Sequence, residues 1–303
     1  MSEAEPDLYD FTNPEDAESV LRETEDLMRE LSPGQDWTVF RRAFDDVERL
    51  FSGRYPGYRA SNTPYHDFEH TCAVVLAAAR LIYGAAAGGE ACADDDRLRG
   101  LLAALFHDVG LIQEASDTRG TGAKYLLGHE ERSIRFMRNN LAKFLPAQDI
   151  ADIADCIRST ILSMPPSEIP FRSEAMRRMG QFVGSADILA QIADRRYPEK
   201  LLLLFEEFRE ARLFDYDTAF DLALRTRSFY RDVARKRLDE ALGGVDRFII
   251  NYFQMRLKVD KDLYWKAIDR NLAFLDKILA ECVEDMDAFP AKLRLNRVRK
   301  PTC

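Results

Sequence analysis

The sequence predicts an all-α protein built as a single domain, and three observations support this prediction. Apolar residues recur at spacings of three and four along most of the chain, which is the pattern of amphipathic helices. No segment alternates polar and apolar residues with comparable strength, as a strand would. The interruptions lie at turn-forming residues, such as SPGQD at 32–36 and PPSEIP at 165–170. We therefore expect a bundle of about ten or more helices.

The helical pattern runs through most of the chain in separate segments. In order, they cover about 17–31, 37–51, 66–84, 95–109, 128–144, 148–163, 173–193, 197–213, 218–241, 245–256 and 260–284. The leucine run at 201–208 is interpreted as a packing helix. The helical domain should span 15–288, after a flexible N-terminus (1–14) and before a basic C-terminal tail (289–303). The basic residues of this tail favour a solvated segment over a partner-binding strand.

The composition narrows the class of protein. Of 303 residues, 43 are Lys or Arg and 52 are Asp or Glu, and the net charge of −9 argues against a nucleic-acid polymer as partner. The longest apolar stretch, 72–89, is interrupted by Arg80, so we expect neither a membrane span nor a membrane partner. The acidic N-terminus lacks the apolar core of a signal peptide. Five cysteines without a CxxC pair indicate a reducing compartment, and we predict a cytoplasmic protein.

All four histidines lie between positions 66 and 129, and two of them share one motif, TPYHDFEHT. Thr63 as a cap and Pro64 at the first position would begin a helix just before them. His66 and His70 are four residues apart, so both imidazoles should project from one helical face. This spacing suits two ligands of one metal ion, or one ligand beside an acid.

Two further segments carry acidic groups in apolar surroundings. LLAALF is followed by His107 and Asp108, and unpaired polar groups at the end of a buried helix are costly. A metal ion would pair both groups, and a hydrogen-bonded core His–Asp pair is the alternative. Asp187 follows small residues in GSADIL, which allow close helix packing, and by itself it could be a structural hydrogen-bond acceptor. Together these segments predict a mixed nitrogen and oxygen site for a divalent metal.

The ordered set YHDFEHT, ALFHDVG and SADIL, over about 60–195, resembles the HD superfamily of metal-dependent phosphohydrolases. Within that superfamily it is most similar to the catalytic core of the class I cyclic-nucleotide phosphodiesterases. The resemblance implies an all-helical domain and an enzyme that hydrolyses a phosphoester or phosphodiester. The substrate it implies is a small phosphorylated molecule, a nucleotide or cyclic nucleotide.

The resemblance also implies roles for individual residues. By motif match, His70, His107, Asp108 and Asp187 are the metal ligands, and Asp108 bridges to a second metal. His66 matches the general acid that protonates the leaving oxygen, while a hydroxide between the metals is the nucleophile. We expect two divalent ions: Zn, Mn or Fe at the tighter site, and Mg or Mn at the second.

The segment from the HD motif to the next helix adds weaker candidates. His129 and Glu130 open a helix and would serve the second metal or orient its water. The alternative is an exposed helix N-terminus with a capping carboxylate, an interpretation that suits Glu131 better than His129. Arg119 and Lys124 lie among glycines and could contact a phosphate, with a solvated loop as the alternative.

This sequence also departs from the phosphodiesterase pattern. Leu111 stands where that family has a second histidine, and Asp67 stands where it has asparagine. The purine-clamping glutamine is not found, and Phe248, which lies in the corresponding region, is expected to be a core residue. Specificity for cyclic nucleotides is therefore not implied.

Two other functional classes remain open. Some HD-fold proteins bind two irons and oxidise a small molecule with dioxygen, but they need extra histidine ligands, and only His129 is left to supply one. A non-catalytic metal-containing module for sensing or binding is the second alternative, although it would not need His66. The sequence also leaves open whether the protein forms a homodimer.

Overall fold

The computed structural model describes residues 6–213 and 216–293, and within these ranges the regular structure is helical throughout. Its twelve α-helices are α1 (Ala17–Leu31), α2 (Thr38–Phe51), α3 (Phe68–Ala87), α4 (Asp94–Phe106), α5 (His129–Leu141), α6 (Ala147–Arg158), α7 (Glu174–Ala193), α8 (Tyr197–Ala211), α9 (Ala219–Phe229), α10 (Ile249–Tyr252), α11 (Leu263–Glu281) and α12 (Phe289–Lys292). The predicted all-α class is confirmed.

Side-chain caps set several of the helix starts. Asp16 accepts a hydrogen bond from the Ser19 amide ahead of α1, and Ser173 accepts one from Met176 ahead of α7. Each such cap satisfies an amide that has no partner inside the helix, and contributes about 1 kcal/mol. The helix predicted over 218–241 is less regular: α9 is followed by π-helical turns at Tyr230–Ala234 and Arg237–Ala241.

Helix α3 lies at the centre of the fold and packs against α1, α4, α7 and α10. Arg80, which interrupts the apolar stretch of this helix, forms a buried ion pair: the residue is 1% exposed and its guanidinium donates to Glu23 at 3.1 Å. By length and composition alone α3 could cross a membrane, but 83% of the apolar window is buried inside the fold. Helix α3 is therefore buried to the extent expected of a core helix.

Helix α7 carries the small residues that were expected to allow close packing. A Cβ at Gly184 would lie 2.7 Å from the carbonyl oxygen of Ser159, which ends α6. Gly184, Ser185 and Ala186 are all buried. Since α7 also packs against α3 and α4, Asp187 comes close to the residues at the end of α4.

The described residues near both ends of the chain include buried side chains. Leu8 is buried and the Tyr9 hydroxyl donates to the Ala193 carbonyl at 3.3 Å, so the N-terminal segment from residue 6 onward lies on the fold. At the other end Phe289 is buried. The remainder of the predicted basic tail, 294–303, lies outside the described residues. The four described cysteines are free thiols, as expected.

Candidate metal centre

The segment before α3 holds His66 and His70 differently from the prediction. The helix begins at Phe68, and its cap is Asp67, whose carboxylate accepts from the His70 amide at 2.8 Å. His66 therefore lies in the preceding turn and not on the helical face, which corrects the expected Thr63 start. The Thr63 hydroxyl instead donates to the His66 carbonyl at 3.0 Å. The two imidazoles still approach each other, with ring centroids 6.1 Å apart.

Helix α4 ends where the HD motif begins. His107 is the C-cap residue of α4, and Asp108 is the N-cap residue of a 3-10 turn at Val109–Leu111. The Nδ1 atom of His107 lies 2.8 Å from the Ala104 carbonyl, to which it donates. This bond fixes the orientation of the ring and leaves Nε2 as the nitrogen available to a metal ion. Metal-binding histidines commonly donate their other ring nitrogen to a carbonyl or carboxylate in this way.

Gly110 explains how the start of α5 reaches this turn. A Cβ at Gly110 would overlap the carbonyl oxygen of His129, so only glycine allows the approach. The Ser133 hydroxyl ties the two segments together: it accepts from the Gly110 amide at 2.8 Å and donates to the His107 carbonyl at 2.6 Å. His129 is thereby brought beside Asp108.

Four side chains from three parts of the chain converge on one point. His70 Nε2 lies 3.2 Å from Asp187 Oδ1 and 3.7 Å from Asp108 Oδ2. His107 Nε2 lies 3.2 Å from Asp108 Oδ2 and 3.8 Å from Asp187 Oδ1. Two atoms bound to one ion at about 2.1 Å are about 3.0 Å apart at right angles and about 4.2 Å apart when opposite. His70, His107 and Asp187 can therefore hold a metal ion, and Asp108 contacts the same group.

The cluster also needs a cation on chemical grounds. With Nδ1 of His107 donating to a carbonyl, the Nε2 atom of the neutral ring carries a lone pair. It faces the carboxylate oxygen Asp108 Oδ2 at 3.2 Å, and neither atom has a hydrogen-bond partner among the described residues. Two buried acceptors at this distance repel each other unless a proton or a metal ion lies between them.

The pKa values of the site follow from this convergence. Burial disfavours the imidazolium of His107, but the Asp108 carboxylate outweighs it and raises the pKa of His107 to about 9. The same two effects raise the pKa of His129 to about 9. Burial opposes ionisation of Asp108 as well, yet His107 and His129 hold its pKa well below the usual range. A divalent ion would take the place of these protons.

A second group of donors lies on the other side of Asp108. Its Oδ1 atom is 3.1 Å from His129 Nε2, while the Nδ1 atom of that ring donates to the Leu126 carbonyl at 2.9 Å. Glu130 Oε2 lies 3.5 Å from the same Nδ1. The two oxygens of Asp108 thus face different histidines, which is an arrangement that could bridge two ions. The predicted helix start at His129 is confirmed.

The sequence reasoning missed one buried partner of this site. Glu207 Oε2 lies 2.6 Å from His66 Nδ1, and Glu207 Oε1 accepts from the Tyr65 amide at 2.8 Å. Burial disfavours the imidazolium, but the Glu207 carboxylate outweighs it and raises the pKa of His66. Glu207 lies in α8, within the leucine run interpreted as packing. The one feature of the sequence that could have indicated this partner is the position of Glu207, an acidic residue within the leucine run of α8.

The weaker phosphate-binding candidates are not brought to the site. Lys124 pairs with Asp117 at 2.7 Å and also donates to the Arg119 carbonyl. Neither Arg119 nor Lys124 lines the cavity that opens onto the metal cluster. Phe248, in contrast, is buried in the core as expected.

A cavity of about 280 Å³ opens onto these side chains. The site residues that line it are His66, His70, Asp108, His129, Glu130 and Asp187. A molecule bound in this cavity would therefore meet the metal-binding cluster, the His129–Glu130 pair and the His66 imidazole that Glu207 holds.

The chain matches no protein-family model, no curated protein and no solved structure. The interpretation of the site therefore depends on the geometry of its own residues.

Proposed function

We propose that this protein is a metal-dependent phosphohydrolase that cleaves a phosphoester or phosphodiester. The observation that supports the proposal is the placement of His66, held by Glu207 at 2.6 Å, in the same cavity as a His–Asp cluster able to hold a divalent ion. A purely structural metal site has no use for an imidazole that faces the cavity. The motif resemblance to the HD superfamily supports the same class of reaction.

The metal ligands in this proposal are His70, His107, Asp108 and Asp187. A divalent ion bound there supplies positive charge that polarises a phosphoryl oxygen and lowers the pKa of water. Zn, Mn or Fe suits this mixed set of nitrogen and oxygen donors. Because His70 and His107 are buried with their donor nitrogens directed inward, their contribution is to hold the ion at one fixed position in the cavity.

His66 acts on the leaving group. Its Nδ1 is engaged by Glu207, so Nε2 is the nitrogen left for a substrate oxygen. The raised pKa favours the protonated ring, which is the form that a general acid requires. Transfer of the Nε2 proton to the departing oxygen avoids the release of an unstable alkoxide.

His129 and Glu130 complete the site next to Asp108. They would hold a second ion, Mg or Mn, or orient the attacking water, and in both cases they would act beside the Asp108 carboxylate. Glu131 is exposed in the first turn of α5, as the sequence suggested, and pairs with Arg158 at 2.7 Å. It therefore has no part in the proposal.

The experiment that tests the proposal is hydrolysis of a panel of phosphomonoesters and phosphodiesters by the purified protein with added Mn²⁺ or Mg²⁺. The metal content of the protein as purified is measured alongside. We expect hydrolysis that depends on the metal and is lost in Asp108→Ala. Iron with an oxygen-dependent absorption spectrum and no hydrolysis would support the diiron oxygenase class. Bound metal without any turnover would support a binding module.

A further inference from the structure

The cavity above the metal cluster is lined mainly by hydrocarbon. One face of α8 contributes Leu201, Leu204 and Phe208, and α9 contributes Leu222 and Phe229. The spacing of the α8 residues, three and then four, places all three on one side of the helix. The leucine run is therefore both core and cavity wall.

Several polar groups among these walls already have partners inside the protein, and Arg225, which also lines the cavity, lies over the Tyr216 ring. The Tyr197 hydroxyl bonds to Thr226, whose own hydroxyl donates to the Leu222 carbonyl at 3.1 Å. The Gln191 amide donates to the Tyr65 hydroxyl. A nucleobase buried against these walls would have to displace such bonds or leave its own donors and acceptors unpaired, at about 1–3 kcal/mol each.

The size of the cavity limits the group that it can bury completely. An apolar protein cavity of about 150 Å³ accepts benzene, so the volume of about 280 Å³ holds on the order of ten non-hydrogen atoms. A nucleoside is considerably larger than that. Size and wall chemistry together disfavour a nucleoside and favour a compact hydrocarbon.

We infer that the substrate is a phosphate ester of an apolar alcohol, whose hydrocarbon group lies against Leu201, Leu204 and Phe208. This inference deepens the proposed function and rests on it for the position of the phosphate at the metal cluster. In the reaction, a water oxygen forms a bond to phosphorus and the bond between phosphorus and the alcohol oxygen breaks. The alcohol oxygen takes the proton from His66, and the proton released by the attacking water restores the His66 imidazolium, so the products are the free alcohol and phosphate. An alkoxide is a poor leaving group, which fits the need for a general acid.

Binding of non-hydrolysable phosphonates tests the inference without any turnover. Isothermal titration calorimetry on the Mn²⁺-loaded full chain would compare methyl-, butyl- and octylphosphonate with the phosphonate analogue of adenosine 5′-phosphate, in which a methylene replaces the ester oxygen. We expect affinity to rise about fourfold for each added methylene until the cavity is filled. Octylphosphonate should bind at least about 100-fold more tightly than methylphosphonate and more tightly than the nucleotide analogue.

Variants of the wall identify the cavity as the binding place. Leu204→Trp fills it and should weaken octylphosphonate binding at least about tenfold, with methylphosphonate unchanged. Leu224→Trp is the matched control, because Leu224 is 49% exposed and does not line the cavity. Should Leu204→Trp not fold, Leu162→Asp replaces it, since Leu162 lines the cavity but is 44% exposed.

The outcomes separate this inference from the proposed function. Affinity that does not depend on chain length, binding of the nucleotide analogue as tight as that of octylphosphonate, or equal effects of Leu204→Trp and Leu224→Trp would each overturn the inference. Chain-length-dependent binding that is weakened only by the wall variants would support it. If such binding were found but octyl phosphate and the other esters were not hydrolysed, the phosphohydrolase proposal would fail and the ligand class would stand.

Discussion

The Nδ1 atom of His66 lies 2.6 Å from Glu207 Oε2, although the two residues are 141 positions apart in sequence. Both side chains are shielded from solvent, so the pair interacts in a medium that screens charge weakly. The carboxylate fixes the orientation of a ring that lines the cavity, and in the proposed function this leaves Nε2 for the substrate. Glu207 is a positioning residue, and its effect should be visible in a pH profile.

Glu207→Gln should move the alkaline limit of activity to lower pH. The Glu207 carboxylate raises the pKa of His66, so the protonated acid persists above the ordinary value of 6.5 and is lost as pH rises through the raised value. Without the carboxylate this loss begins at lower pH, and we expect turnover at pH 8 to fall about 10–100-fold. The pH dependence of kcat measures the shift. Glu206→Gln, at an exposed neighbour in α8, is the control and should leave the profile unchanged.

His66→Asn should separate substrates by their leaving groups. Esters of simple alcohols need a proton on the departing oxygen and should lose about 10²–10⁴-fold in turnover. A nitrophenyl ester departs without protonation and should lose far less, while metal content stays at the wild-type level. Kinetics on both substrates, with elemental analysis, test this. Equal losses on the two substrates would remove the acid role from His66.

His107→Ala should abolish retention of the tightly bound metal. Its Nε2 lies 3.2 Å from Asp108 and 3.8 Å from Asp187, so the cluster loses a central donor and retains two carboxylates that repel each other. Elemental analysis should show little metal after gel filtration. Chelation of the wild-type protein should lower its Tm, because bound metal stabilises the folded state. Full metal occupancy in His107→Ala would contradict the site assignment.

His129→Ala should retain that metal and still lose activity. His129 contacts only the Oδ1 side of Asp108, at 3.1 Å, while the ligands on the Oδ2 side are untouched. We expect activity to fall at least about tenfold and added Mg²⁺ or Mn²⁺ to restore it only in part. Metal content and a metal titration of activity are the measurements. Wild-type turnover would return His129 to a structural role.

Asp262→Asn should stabilise the fold at neutral pH. Burial raises the pKa of Asp262 to about 6, so its contribution to stability is fully present below about pH 4 and is lost as pH rises through 6. Asparagine keeps the acceptor that caps α11 through the Tyr264 and Trp265 amides, without the charge. The free energy of unfolding at pH 7.5 should rise by about 1–3 kcal/mol, with little change at pH 4. Urea titrations at both pH values measure this, with Asp260→Asn, at an exposed residue, as control.

The sequence by itself determined most of the helices and the candidate metal ligands. Periodicity and capping act between residues up to four positions apart, so the predicted starts at Ala17, His129 and Tyr197 match the structure. The candidate metal ligands could also be predicted from the sequence. His107, Asp108 and Asp187 are polar residues in apolar segments, and such residues need a partner.

Only the tertiary structure decided what surrounds those residues. Glu207 reaches His66, and Leu204 becomes a cavity wall, through the packing of helices that are distant in sequence, which no local pattern encodes. The start of α3 is different, because the cap that sets it is local: the Asp67 carboxylate caps the helix after His66, and the sequence reasoning chose the earlier Thr63. The periodicity of α8 is the same for a core helix and for a cavity wall, because both bury hydrocarbon. The physical difference is whether a neighbouring helix fills the space opposite, and that depends on the whole fold.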